Sequence, residues 1–405
     1  MNRKIVVIGA GQAAIAFAAK LRELDKQCDI TLIGSEPSLP YQRPPLSKKY
    51  MTGEMEAERL LLRPANWYEE SNVTCLTKRT VTEISPGDKT VKLDSDDVLA
   101  FDKLLIATGS TPRKLPEKIG GNLQGVHTLR NFADADAISM EMISGRHILI
   151  IGGGYIGLET ASVAASRGLK VTVVEMADRI LNRVASEDTA RFIRELHRSH
   201  GVDIREGVLV SKLLEEDGRV NGVELGDGTT LPVDFVVAGI GITPDIDLAQ
   251  AAGIETDNGI VVDASTRTSN PDIHAAGDCA SFKFRGVRIR LESVQNAIDQ
   301  AEAAAHVVAG AEVTYNPVPW FWSDQYDCKL QIAGFNMGYE STVVRPGSRE
   351  GSHSIWYFDS GNFIAVDAIN DPKPYMFGKK LLELGRDITR EQAANPEFEL
   401  KTLIR

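Results

Sequence analysis

Apolar positions along this chain follow two rhythms. Lys4–Ile8 is a short apolar run of the kind that forms a buried strand, Gln12–Leu24 is Ala-rich with helical spacing, and Asp29–Ile33 is apolar again. The three predict a strand–helix–strand unit. The same order returns at His147–Ile151, Tyr155–Arg167 and Lys170–Glu175. Strand-like and helix-like segments go on alternating through most of the first 310 residues, as they do in α/β domains. Leu104–Ala107 runs into Thr108-Gly109-Ser110-Thr111-Pro112, and Phe235–Ala238 runs into Gly239-Ile240-Gly241-Ile242-Thr243-Pro244. Each is a buried strand ending in a Gly/Pro turn, and the two turns predict crossings between domains.

After Asn316 the rhythm changes. Pro317-Val318-Pro319 breaks the chain, and Lys329–Phe335, Ser341–Val344, Ser352–Phe358 and Asn362–Val366 then alternate with period two, which predicts an antiparallel sheet. Met376–Arg386 reads as one amphipathic helix. The expected fold class is therefore α/β, with two doubly wound Rossmann-like dinucleotide-binding domains plus a C-terminal α+β domain with an antiparallel sheet. The expected limits are 1–112 with 243–318 for the first domain, 113–242 for the second and 319–405 for the third.

Each strand–helix–strand unit carries a glycine motif where it matters. Gly9-Ala10-Gly11-Gln12-Ala13-Ala14 is G-x-G-x-x-A between strand and helix. Gly9 permits the tight turn, Gly11 lets a pyrophosphate approach the backbone, and Ala14 lets the helix pack closely; the helix N-terminus then faces the phosphates. Glu36, at the end of the second strand, can accept from ribose hydroxyls. Gly152-Gly153-Gly154-Tyr155-Ile156-Gly157 is a full G-x-G-x-x-G, and Glu175 ends the strand that follows it. Two intact motifs call for two dinucleotides. A flavin and a nicotinamide that exchange a hydride are the simplest pair, so the cofactors expected are FAD and NADH.

Composition narrows the class. The chain has 405 residues, 43% apolar and 25% charged, as in globular multidomain proteins. No segment nears the roughly 20 apolar residues of a membrane span, and the apolar run after Lys4 is too short for a signal-peptide core, so no membrane partner and a cytoplasmic location are expected. A net charge of −11 argues against nucleic acid. Cys28, Cys75, Cys279 and Cys328 lie far apart with no CxxC, so four reduced, buried thiols are expected, with no metal site and no redox dithiol.

With both motifs placed, further segments carry a family likeness: Pro40-Tyr41-Gln42-Arg43-Pro44-Pro45-Leu46-Ser47-Lys48, Ala107-Thr108-Gly109, Ala275-Ala276-Gly277-Asp278-Cys279-Ala280, Glu292-Ser293-Val294-Gln295-Asn296-Ala297 and Trp320-Phe321-Trp322-Ser323-Asp324-Gln325. Over essentially its whole length the chain resembles the NADH-dependent ferredoxin reductases that serve cytochrome P450 and dioxygenase systems, within the glutathione-reductase-like flavoproteins. The resemblance implies that Asp278 binds the ribityl chain of FAD, that Lys48 and Trp322 lie beside the flavin, and that Val294 meets the ring through its backbone. It implies FAD phosphate contacts from Arg43 and Arg130, and a position near the nicotinamide, paired with Lys48, for Glu159. Ala13, Ser35, Val81, Ala107, Thr108, Gly109 and Gly277 join the implied FAD contacts, and Tyr155, Ile156 and Gly241 the implied NADH contacts.

The partner implied is an acidic [2Fe-2S] ferredoxin feeding a cytochrome P450 or dioxygenase, with the reductase a monomer or weak dimer. Arg63, Arg288, Arg290 and Lys329 are candidate docking charges for such a partner. Glu175 predicts preference for NADH, because a carboxylate repels a 2′-phosphate; Arg179, four positions on, can soften that preference. Other classes consistent with the sequence are a stand-alone NADH oxidase or diaphorase, a rubredoxin reductase, and a flavin-containing structural or signalling protein.

Overall fold

In the computed structural model, which describes residues 2–404, Lys4–Ile8 and Asp29–Ile33 form parallel neighbours with Ile5 opposite Ile30. Three more strands complete a parallel sheet in the order Ile273–Ala275, Lys103–Ile106, Lys4–Ile8, Asp29–Ile33, Val73–Leu76. The first strand of the chain is central and the rest wind outward to both sides, the doubly wound order. Helix Gln12–Leu24 lies against helix Val294–Val308, and Ile15, Phe17 and Leu21 share a core with Ala301, Ala304, Ala305 and Val308. The small residues on both helices allow that close packing. A separate three-stranded meander, Val81–Ser85, Thr90–Leu93, Val98–Ala100, was not legible from the pattern, because its strands are short and rich in charge.

The chain falls into two compact units. One comprises Met1–Arg43, Glu56–Thr111 and Ile242–Pro317; the other comprises Pro44–Met55, Pro112–Gly241 and Val318–Arg405. Pro44–Met55, inside the span expected for the first domain, thus packs with the second unit. That unit holds its own parallel sheet, ordered Asp203–Glu206, Lys170–Glu175, His147–Ile151, Phe235–Ala238, Val126–His127. Its crossover helix ends at Ser166, one residue before the expected Arg167.

The segment after Val318 forms the antiparallel sheet Trp320–Gln325, Cys328–Gly334, Asn362–Ile369, His353–Asp359, Ser341–Pro346. Alternation along its first strand, Trp320–Gln325, turns Trp320 and Trp322 to one face and Phe321, Ser323 and Gln325 to the other. The helix that follows the sheet is Pro372–Leu384, four residues earlier at its start than the Met376–Arg386 expected. Asp371 caps it by accepting from the Lys373 amide, prolines are tolerated in the first turn, and Gly385 closes it in the left-handed conformation. Among the described residues no helix is long and apolar enough to cross a membrane, and no cluster of metal-ligating side chains occurs.

Candidate functional site: two glycine loops and a buried ion pair

The first loop is held by backbone contacts that only glycine permits. Gly9 has φ +114°, and a Cβ on it would sit 2.1 Å from the Ala107 carbonyl oxygen. Gly11 is the reverse: a Cβ there meets nothing within 4 Å. It caps helix Gln12–Leu24 without any side-chain hydrogen bond, so the first amides of the helix stay available to an anion. Ala13 and Ala14 are buried beneath, and Gly277, at φ +84°, accepts close approach from Ala13 while donating its amide to Gln300 Oε1 at 2.9 Å.

The other expected residues of the first unit are spread over its loops, strands and helices. Ser35 is exposed at the end of Asp29–Ile33. Glu36 accepts from Tyr41 Oη and from Arg43 Nη2, both at 2.5 Å, so these three form one cluster rather than separate contacts. The Thr108 hydroxyl donates to the Asp245 carbonyl at 2.7 Å, and Gly109 has φ +75°. Asp278 Oδ2 accepts from Ser110 Oγ at 2.9 Å. Val294 opens the helix that Ser293 caps. Val81 is buried at the start of the meander. Arg130 belongs to the second unit, where its backbone amide donates to Asp134 in the capping box of helix Phe132–Glu141.

The second loop repeats the design. Gly152 has φ +107° and leaves no room beside the Gly239 carbonyl, 2.3 Å from a would-be Cβ; Gly157 likewise abuts Gly152 O at 2.2 Å, while Gly154 faces open space. Gly154 caps helix Tyr155–Ser166, again without a side-chain bond. Glu175 does more than end a strand: Oε2 accepts the Gly153 amide at 2.7 Å and Oε1 the Ala177 amide at 2.8 Å. Arg179 is committed elsewhere. Its guanidinium donates to the carbonyls of Ile180, Asn182, Ala185 and Ser186 and pairs with Glu187, so the softening expected of it toward a 2′-phosphate is not available in this arrangement. Ile156 is exposed, Gly241 takes φ +98°, and the Tyr155 ring packs on Phe321 at 4.9 Å. Both loops offer an open glycine and an uncapped helix end beside a carboxylate, so the residues present suit two dinucleotides.

Lys48 and Glu159 meet in the second unit. Lys48 Nζ donates to Glu159 Oε2 at 2.7 Å, and Glu159 is only 4% exposed. Burying a carboxylate needs a counter-charge and satisfied lone pairs. Ser47 Oγ supplies a second donor to Oε2 at 2.7 Å, and Ser323 Oγ donates to Oε1 at 2.8 Å. Helix Tyr155–Ser166 presents Glu159 to the turn Pro44–Ser47 and to strand Trp320–Gln325. Trp322 lies on the other face of that strand, half-buried against Trp320, ring centroids 5.7 Å apart. Ser47 and Ser323 were not singled out from the sequence, although both lie inside motifs that were. The buried cluster of Asp367 with Tyr357 and Thr189 carried no sequence signal, since its members come from distant segments.

The candidate docking charges are mostly occupied. Arg63 lies over the Trp67 ring, and Arg288 pairs with Asp257. The Arg290 side chain is 9% exposed, pairs with Glu292 at 2.7 Å and donates to the Asp278 carbonyl. Arg290 therefore braces the aspartate turn rather than offering a free charge. Lys329 is exposed.

The family model for pyridine nucleotide-disulphide oxidoreductases matches residues 3–301, and one for the reductase C-terminal domain matches 320–404. The chain belongs to the pyridine nucleotide-disulphide oxidoreductase family. It is an oxidoreductase that works with FAD and NAD(P)H. A ferredoxin–NAD(P)(+) reductase of Sphingomonas is 42% identical over 404 residues, spanning 99% of this chain and 97% of the relative. The crystal structure of a ferredoxin reductase for the CYP199A2 system from Rhodopseudomonas palustris superposes with a TM-score of 0.96 at 37% identity and covers all of both chains. The covalent putidaredoxin reductase–putidaredoxin complex gives a TM-score of 0.96 at 36% identity, covering 100% of this chain and 98% of that one. The family likeness drawn from the motifs therefore holds over the full length.

Proposed function

We propose that this protein is an NADH:ferredoxin reductase. The first glycine loop holds FAD, the second holds NADH, and an acidic [2Fe-2S] ferredoxin carries electrons on to a cytochrome P450 or other oxygenase. Bound FAD supplies the chemistry that accepts a hydride from NADH and releases electrons singly. The division into an FAD domain at 1–112 with 243–318, an NADH domain at 113–242 and a C-terminal domain at 319–405 belongs to this reading, as do the cytoplasmic location and a monomer or weak dimer.

The observation that carries it is the state of the cysteines. The family's name includes disulphide chemistry, which needs a reactive thiolate. All four cysteines here are free, with Cys28, Cys279 and Cys328 buried and Cys75 half-buried. Burial pushes every thiol up, Cys75 to about 11 and Cys328 to about 12. None is a ready nucleophile, so electrons leave the flavin for an external acceptor. The full-length relatives named as ferredoxin reductases, one joined covalently to putidaredoxin, support an iron–sulfur acceptor.

Within this reading Lys48, Glu159 and Trp322 tune reduction of the flavin by NADH. Glu175 binds the adenosine ribose of NADH, and Asp278 binds the ribityl chain. The test is cytochrome c reduction by NADH with and without added ferredoxins. Reduction should depend on a [2Fe-2S] ferredoxin. Rapid oxygen consumption without any protein partner, unchanged by ferredoxin, would establish an oxidase instead.

A further inference from the structure

Glu159 stands at one end of a chain of buried hydrogen bonds that runs away from Lys48. Ser323 Oγ donates to Glu159 Oε1 at 2.8 Å; Gln325 Nε2 donates to Ser323 Oγ at 3.1 Å; His197 Nε2 lies 2.7 Å from Gln325 Oε1; Tyr326 Oη lies 3.3 Å from His197 Nδ1. Ser323, Gln325 and His197 are each at most 1% exposed. Beyond Tyr326 the ring of exposed His200 stacks at 3.7 Å.

The directions of these bonds are not independent. As the ion-pair partner of Lys48, the Glu159 carboxylate only accepts. Ser323 has one hydroxyl hydrogen, and Glu159 takes it. Gln325 must then turn its amide nitrogen to Ser323, which leaves its carbonyl oxygen for His197. That oxygen demands a proton on His197 Nε2. Burial holds the imidazole neutral, with its pKa lowered to about 4, so Nδ1 is bare and accepts from Tyr326. The charge on Glu159 thus dictates the tautomer of a histidine on a different helix.

We propose that Ser323, Gln325 and His197 are positioning residues that aim a single-direction relay of donors at Glu159 and hold its carboxylate in one orientation for flavin reduction. Strand alternation makes the relay possible by placing Ser323 and Gln325 on one buried face. His197 comes from the last turn of helix Glu187–Ser199. Loss of His197 frees the Gln325 amide to flip. The flipped amide would take the Ser323 hydrogen and remove one donor from Glu159. The inference rests on the role given to Glu159 above, but its structural half can be read without activity.

The chain has seven histidines, so nitrogen-15 labelling of their rings gives a resolvable spectrum, assigned to His197 by its loss in His197→Gln. In the native holoenzyme His197 should show a protonated Nε2 and a bare Nδ1. In Glu159→Gln, Lys48 and Ser47 keep facing the amide oxygen and the new amide nitrogen donates to Ser323. Ser323 must then donate to a flipped Gln325, whose nitrogen faces His197. The tautomer should invert, with Nδ1 protonated. A native Nδ1–H tautomer, or an unchanged tautomer in Glu159→Gln, overturns the relay. By stopped flow, His197→Leu should slow flavin reduction by about tenfold at unchanged FAD content, and His197→Gln, which restores a donor amide, should recover most of it. Full-speed reduction in His197→Leu overturns the positioning role. Full-speed reduction in Glu159→Gln with an inverted tautomer instead removes the role proposed for Glu159 and leaves the relay standing.

Discussion

Replacing Glu175 separates nucleotide choice from loop support. The carboxylate ends strand Lys170–Glu175 and anchors the Gly153 and Ala177 amides; in the proposed reading it also meets the adenosine ribose. Two lone pairs remain for ribose hydroxyls, whereas a 2′-phosphate brings a like charge. At about 4 Å and an effective dielectric near 20 that repulsion is about 4 kcal/mol. Solvent at this half-exposed strand end reduces it, and each 1.4 kcal/mol is tenfold, so a native preference for NADH of roughly a hundredfold in kcat/KM is expected. Arg179 does not offset this, because its donors are spent on four carbonyls. Glu175→Gln removes the charge and keeps the shape. It should narrow the preference by about a hundredfold, mainly by raising kcat/KM for NADPH. Glu175→Ala also frees the two amides, so it should narrow the preference similarly while raising KM for both nucleotides. The assay is steady-state reduction of a small artificial acceptor with each nucleotide. Equal native efficiencies, or a ratio that both variants leave within twofold of native, would refute the assignment.

The glycine loop and a buried carboxylate give two more expected outcomes. Gly9→Ala forces a Cβ onto the Ala107 carbonyl, so it should lower both FAD content and thermal stability, whereas Gly11→Ala meets no protein atom and should fold normally yet retain less FAD, as read from flavin absorbance per chain and a melting curve; native FAD content in both variants would dissociate the loop from the cofactor. Asp367 accepts from Thr189 Oγ1 and Tyr357 Oη, but burial dominates and raises its pKa to about 6. The folded state then holds more protons than the unfolded one between about pH 4 and 6, so this group's contribution falls as pH rises through that window and costs about 3 kcal/mol above it. Asp367→Asn should flatten that fall in urea unfolding measured from pH 4 to 8; an unchanged pH slope would show that Asp367 titrates normally.

Much of this molecule was legible in its sequence because the signals are local. A strand that must end in a tight turn, admit a phosphate and pack a helix needs glycine or alanine at fixed steps, and Gly9, Gly11, Ala14, Gly152, Gly154 and Gly157 occupy those steps. Period-two alternation exposed the C-terminal sheet for the same reason. Segments whose partners lie far along the chain were hidden. Trp320–Gln325 reads as an aromatic motif, and only pairing with Cys328–Gly334 makes it a strand that turns Ser323 and Gln325 toward Glu159 and Trp322 away. Arg179 and Arg290 look like free surface charges until folding brings carbonyls and a carboxylate to their guanidinium groups. Composition and spacing determine which dinucleotides the loops can cradle, since that chemistry depends on neighbours a few residues apart. Which carboxylate is buried and which histidine tautomer is allowed depend on hydrogen-bond partners more than 100 positions away, and only tertiary packing brings those atoms within 3 Å.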